Sequence, residues 1–191
     1  MTESREIIAL AGLSGSGKTT LIESVASRYS YIHLSASDLI KKQKEESGKT
    51  ATSEQLRKSD IDDNQLQFVK AFEAQAGKSS DPILLDCHTL IDTPTGVQYV
   101  PISTFAAINI TRMVFLSVEP GRLLERRLAD TSRTRPQRSL IELSKQQESA
   151  LLMATEISIN LNIPFDSVEH EPQNELELIL RRENHTQVSG S

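Results

Sequence analysis

The run Gly12-Leu-Ser-Gly-Ser-Gly17-Lys18-Thr19 fits the spacing G-x-x-x-x-G-K-[ST] at every position. Phosphate oxygens must meet backbone N–H groups directly, and Gly12, Gly15 and Gly17 let the chain curl around them without Cβ clashes. Lys18 supplies a point cation for the β- and γ-phosphates, and the Thr19 hydroxyl supplies a hard oxygen ligand for Mg²⁺. Gly12, Ser14, Gly15, Ser16, Gly17, Lys18, Thr19 and Thr20 are therefore the expected ATP-binding residues. A plain glycine turn between strand and helix would leave the Lys-Thr pair unexplained.

An acidic residue is expected at the end of a neighbouring strand, and Asp86 closes the apolar run Ile83-Leu-Leu-Asp86. It joins Thr19 as a candidate Mg²⁺ residue, acting through water or on the substrate, with capping of a turn as the plainer alternative. Cys87 reads as a small buried filler. His88 is a candidate substrate contact or a polar loop residue.

Arg122, Arg126, Arg127, Arg133, Arg135 and Arg138 place six guanidinium groups within 17 residues. Phosphoryl transfer spreads negative charge over oxygens, and the planar guanidinium fork grips two of them at once. Arg126, Arg133 and Arg135 are the expected catalytic cations alongside Lys18. The alternative is a solvated basic face paired with Glu119, Glu125 and Glu142. The polar stretch Asp130-Thr-Ser-Arg-Thr-Arg-Pro reads as a short lid over about 128–138.

Positioning these groups requires strands that end where the loops begin. Glu6-Ile-Ile-Ala-Leu-Ala-Gly is too short and too uniformly apolar for a helix and suits a strand buried on both faces. Tyr31–Leu34, Pro82–Asp86, Arg112–Val118 and Pro164–Val168 read as four more strands. Helical patterns fall between them at about 17–28, 35–47, 53–76, 119–129, 139–161 and 174–182. Ser35 or Ser37 caps the second, Gly77 ends the third, and Asn162 with Pro164 ends the fifth. Strands alternating with helices imply an α/β fold: three layers, with a five-stranded parallel sheet flanked by helices. One domain is expected over 1–184, followed by a polar tail at 185–191.

Composition narrows the setting. The chain has 191 residues, 21 Lys+Arg against 26 Asp+Glu, and net charge −5, which argues against a nucleic-acid partner held by a broad basic surface. Aromatic residues make up only 4% and Trp is absent, which leaves no base-stacking platform. A single cysteine excludes an internal disulfide and a multi-cysteine zinc site. No apolar run approaches membrane-spanning length and the N-terminus does not read as a signal peptide, so a cytoplasmic location is expected.

Beyond the phosphate loop, Leu85-Asp-Cys-His-Thr-Leu-Ile-Asp-Thr-Pro-Thr-Gly followed by Val100-Pro-Ile resembles the segment after the third strand of archaeal-type adenylate kinases. Arg126-Arg-Leu-Ala-Asp-Thr-Ser-Arg-Thr-Arg, with the later helix containing Gln147 and Ala150, resembles that family's lid and following helix. Leu56-Arg57-Lys58 resembles its Arg-Lys-Leu segment, and together the matches span about residues 7–160. The resemblance implies a P-loop nucleoside monophosphate kinase that moves the γ-phosphate of Mg²⁺-ATP to a monophosphate, AMP or dAMP foremost. It also implies a monophosphate-binding part over about 36–77, with Asp38, Arg57, Asp86 and His88 on that side and small-molecule nucleotides as partners. As alternatives, Asp38 suits the first turn of a helix and Arg57 an exposed helical position. The loop lacks the proline usual in that family and reads like that of adenylylsulfate kinases, which leaves the acceptor base open. Two other functions fit the same loop: a kinase of another small metabolite, and an ATPase switch or assembly factor acting on a protein or ribonucleoprotein partner.

Overall fold

The computed structural model describes residues 5–46, 61–131 and 135–188. Its main sheet has five parallel strands: β1 (Ile7–Ala11), β2 (Ile32–Ser35), β3 (Ile83–Asp86), β6 (Arg112–Leu116) and β7 (Phe165–Val168). A separate antiparallel hairpin consists of β4 (Leu90–Thr93) and β5 (Gly96–Tyr99). The helices are α1 (Lys18–Ala26), α2 (Ala36–Glu46), α3 (Ile61–Ala76), α4 (Ile102–Ala107), α5 (Pro120–Ala129), α6 (Leu140–Leu161) and α7 (Pro172–Val188). Every strand of the expected sheet is present. The fold is the three-layer α/β arrangement that strand-helix alternation predicts.

The sheet order is β2-β3-β1-β6-β7. From β1 the chain passes out to β2, returns to β3, and then crosses to β6 on the other side. The C-terminal end of β1 is therefore the point where connections diverge, the place where open α/β sheets bind ligands. Pairing of Leu10 with Asp86 and Ala11 with Phe115 sets the neighbouring strand ends beside the loop that leaves β1.

Residues Ile8 to Ala11 are fully buried, as are Ile83, Leu84 and Leu85 on β3 and Met113, Val114 and Phe115 on β6. Helices cover both faces of these strands, which is why they read as continuous apolar runs. Each such Ile, Leu or Phe contributes about 1.5–3 kcal/mol of transfer free energy. That apolar slab holds the loop ends rigid.

Local signals explain the helix boundaries. The Glu119 carboxylate accepts from the backbone N–H groups of Gly121 and Arg122 and opens α5, and these bonds hold its pKa below the usual carboxylate range. Ser139 and Glu142 form a reciprocal capping box at the start of α6. Asn162 takes the left-handed conformation that ends α6. Ser35 Oγ accepts from Asp38 N at the start of α2, as the capping signal predicts.

Two features depart from the sequence reading, and one lies partly outside what is described. The hairpin β4–β5 and the short α4 occupy a stretch that carried no element. Helix α3 is described only from Ile61, so the part of the 53–76 pattern before it lies outside the described residues. Helix α7 continues to Val188, past the expected end at Arg182. No glycine or proline interrupts the chain until Gly190, and residues 185–188 extend the helix instead of beginning a tail.

Candidate active site

The loop between β1 and α1 takes the shape that its glycines permit, with Gly15 at φ 90° and Gly17 at φ 96°. A Cβ on Gly15 would stand 3.1 Å from Arg127 Cγ, and one on Gly17 would stand 3.2 Å from Arg126 Nη1. Both positions combine a left-handed backbone with a close neighbour, so both require glycine. Helix α1 begins at Lys18 and points its N-terminal partial positive charge into the loop.

Lys18 is 5% exposed; its Nζ donates to the carbonyls of Gly12 and Leu13 at 3.1 Å each and lies 3.8 Å from Asp86 Oδ1. Thr19 Oγ1 donates to Asp86 Oδ2 at 2.6 Å. Strand β1 thus supplies the loop, β3 supplies the carboxylate, and parallel register brings them together. The hydroxyl and carboxylate are hard oxygen donors beside the phosphate cradle and fit a Mg²⁺ carried on nucleotide phosphates. Ser16 Oγ is buried with no hydrogen-bond partner among the described residues, a polar atom turned toward the loop interior that suits an added ligand.

His88 Nδ1 lies 2.7 Å from the Gly12 carbonyl oxygen, which fixes Nδ1 as the protonated donor to that carbonyl. Cys87 is 4% exposed, and burial together with the Asp86 charge pushes its thiol pKa up to about 12. It is the buried filler that the sequence indicates.

The arginines close over the loop from α5. Arg126 Nη1 donates to Ser16 O at 2.6 Å, while Arg127 Nε donates to Ser14 O at 2.9 Å. These consecutive residues straddle the phosphate loop. Arg135 Nε donates to Ser14 Oγ at 3.2 Å and its Nη2 pairs with Asp130 at 2.5 Å, and its Nη1 is buried with no hydrogen-bond partner among the described residues. Arg127 and Arg138 both face Asp92 on β4, at 3.7 and 2.9 Å. The alternative pairing holds in part: Glu142 pairs with Arg138 at 4.0 Å and Glu119 caps α5, while the shorter ion pairs of Arg135 and Arg138 go to Asp130 and Asp92.

Two cavities flank this loop. One has apolar walls that include Ile40, Phe68, Leu90 and Phe105. Its loop end carries Ser14, His88, Arg127 and Arg135. The other, the larger, runs from Ser16, Gly17 and Thr20 past Arg122 and Arg126 to residues 169–174 after β7. Sequence reasoning missed the second wall, because Glu169-His-Glu-Pro carries no phosphate-binding signature.

The structure gathers Gly12, Ser14, Gly15, Ser16, Gly17, Lys18, Thr19, Asp86, His88, Arg126 and Arg135 around one loop, with Thr20 exposed at the edge of the second cavity. It does not bring Asp38 there: that side chain is 70% exposed and pairs with Lys41 at 3.1 Å, as a first-turn helix acid does. Arg57 and Arg133 lie outside the described residues. Arg127, Arg138 and Asp92 join the group. The signal for Arg127 lay within the arginine cluster, whereas Asp92 had none.

Comparison with known proteins supplies family and fold. The family model described as AAA domain matches residues 11–144. The adenylate kinase of Methanothermobacter thermautotrophicus is 25% identical over 153 residues, covering 78% of this chain and 83% of that protein. The adenylate kinase of Pyrococcus abyssi is 24% identical over 179 residues, covering 90% and 89%. A gluconokinase from Sinorhizobium meliloti superposes with a TM-score of 0.57 at 20% identity, over 98% of this chain and 99% of that one. The shikimate kinase of Acinetobacter baumannii, solved in complex with shikimate, gives 0.58 at 13% identity, over 99% and 96%. At these identities the solved structures establish a shared P-loop kinase fold. Among the described residues no helix is long and apolar enough to cross a membrane.

Proposed function

This chain belongs to the AAA domain family, and from that premise we propose a nucleoside monophosphate kinase that moves the γ-phosphate of ATP to AMP or dAMP. The observation that carries the reading is the pair of cavities meeting across one phosphate loop. The larger cavity adjoins Gly17, Thr20 and Arg126 and suits the donor nucleoside. The other suits the acceptor. Its Ile40, Phe68, Leu90 and Phe105 walls offer the apolar slot that a base requires, and Arg127 and Arg135 at its loop end meet a phosphate. A polyol acid would leave those walls against hydroxyl groups, which disfavours the acceptors that name the gluconokinase and shikimate kinase relatives in fold. The archaeal adenylate kinases among its relatives support a nucleotide acceptor.

The backbone amides of the loop and the α1 N-terminus bind the donor phosphates, and Lys18 exchanges its Gly12 and Leu13 carbonyl partners for phosphate oxygens. Thr19 and Asp86 would hold Mg²⁺, which neutralises charge on the β- and γ-phosphates when bound. Arg126 grips from the donor side, and Arg127 and Arg135 grip from the acceptor side. The acceptor phosphate is already an anion, so the chain needs no general base. Its task is positioning and charge stabilisation.

The test is a panel of ribo- and deoxyribonucleoside monophosphates incubated with ATP and Mg²⁺, with ADP formation as the readout. AMP or dAMP should raise ADP production well above the acceptor-free rate. If no monophosphate does so, the nucleotide acceptor is wrong; gluconate, shikimate and a wider metabolite panel then test for another acceptor, and partner-stimulated hydrolysis tests for a switch.

A further inference from the structure

Asp92 has no part in the transfer chemistry, yet its side chain is only 8% exposed and faces two guanidinium groups. Arg127 closes α5, and Arg138 stands just before α6. Arg127, Arg135 and Pro136 line one side of the acceptor cavity, and Asp130 pairs with Arg135. Arg138 grips Asp92 Oδ1 through Nε at 3.2 Å and Nη2 at 2.9 Å, and its Nη2 also donates to Thr93 O at 3.2 Å. Arg127 Nη1 stands 3.7 Å from Asp92 Oδ2 while Nε holds the Ser14 carbonyl. A single carboxylate on β4 therefore holds both stems of the arginine segment, and one stem also braces the phosphate loop.

We propose that Asp92 is a positioning residue: it clamps Arg127 and Arg138 against the β4–β5 hairpin and so aims the Arg127 guanidinium at the junction of the two cavities. A buried charge cluster of this kind is a poor source of stability, since apolar replacements often do as well. Orientation accounts for it better. The consequence for turnover rests on the kinase reading; the clamp itself does not.

The test uses Asp92→Asn, which keeps shape and removes charge, Asp92→Glu as the conservative rescue, and Arg138→Gln, which frees one stem only. Hydrogen–deuterium exchange on the ligand-free protein reads the clamp. In Asp92→Asn, amides of β4, the end of α5 and the start of α6 should exchange at least about ten-fold faster, with β1 and β3 unchanged, because such opening is local. Arg138→Gln should speed exchange at the start of α6 only. With ATP and AMP, kcat of Asp92→Asn should fall about ten- to a hundred-fold, as for a misaimed group, with both KM values within about three-fold. Asp92→Glu should recover part of both effects. Unchanged local exchange, or an equal rise across the whole sheet, overturns the clamp. A clamp that loosens while kcat is retained overturns the positioning role. If the wild-type protein transfers to no monophosphate, the kinase reading fails, and the exchange data still decide the clamp.

Discussion

Replacing Asp86 with Asn isolates the charge beneath the phosphate loop. Asn preserves the size and can still accept the Thr19 hydroxyl, so the perturbation falls on Lys18, whose Nζ is 3.8 Å from the carboxylate with side chains 5% and 11% exposed. Two unit charges about 4 Å apart attract by about 4 kcal/mol at an effective dielectric near 20. Lys18 keeps its bonds to the Gly12 and Leu13 carbonyls, which offset part of that loss. A net destabilisation of about 3 kcal/mol follows, at the low end for breaking a buried pair. For a domain this size that lowers Tm by about 6–12 °C. Calorimetry on the ligand-free variant measures it, and titration of ATP-dependent turnover with Mg²⁺ measures the second role. The Mg²⁺ concentration for half-maximal rate should rise about ten-fold, equivalent to about 1.4 kcal/mol. A melting temperature within about 2 °C of wild type and an unchanged Mg²⁺ response would refute the assignment.

Other outcomes follow from the same geometry. Lys18→Ala should lower kcat by more than about a hundred-fold, the scale of one preorganised charge, while far-ultraviolet circular dichroism stays native; a near-normal kcat removes Lys18 from catalysis. Ser139→Ala opens the capping box of α6 and should cost about 1 kcal/mol, a Tm loss of about 2–4 °C. Cys87 titrates near 9.0 when unfolded and about 12 when folded, so the native state holds its proton more tightly. Its contribution is fully present below the unfolded pKa and is lost as pH rises from about 9 toward 12. Denaturant midpoints should fall across that window, and Cys87→Ala should flatten the slope. A thiol reagent should leave Cys87 unmodified in native protein at pH 8 and modify it fully in guanidinium.

The parts of this site that were legible in the sequence are those whose physics is local. The phosphate loop, its preceding strand and its following helix occupy one contiguous stretch, and each glycine stands where the backbone needs it. Asp86 was legible because parallel β3 must end level with β1. The arginine cluster was visible as a group, but its pairing was not: Arg138 meets Asp92 across 46 residues of chain, through a hairpin whose short strands carry only weak alternation. The second cavity's wall at 169–174 was hidden for a similar reason, since its place beside Arg122 comes from the register of β7 on β6. Asp38 is a different case: the resemblance implies a binding role and the local pattern a first-turn helix acid, and the helix turns it to solvent, where Lys41 is its partner.

The proposed transfer between two cavities across one loop is tested most directly by the fate of the phosphate. ATP radiolabelled at the γ-position is incubated with Mg²⁺, the protein and AMP or dAMP, and the products are separated. Label should accumulate in the nucleoside diphosphate made from the acceptor, in step with acceptor concentration. Label appearing only as inorganic phosphate, at a rate no monophosphate alters, would contradict it.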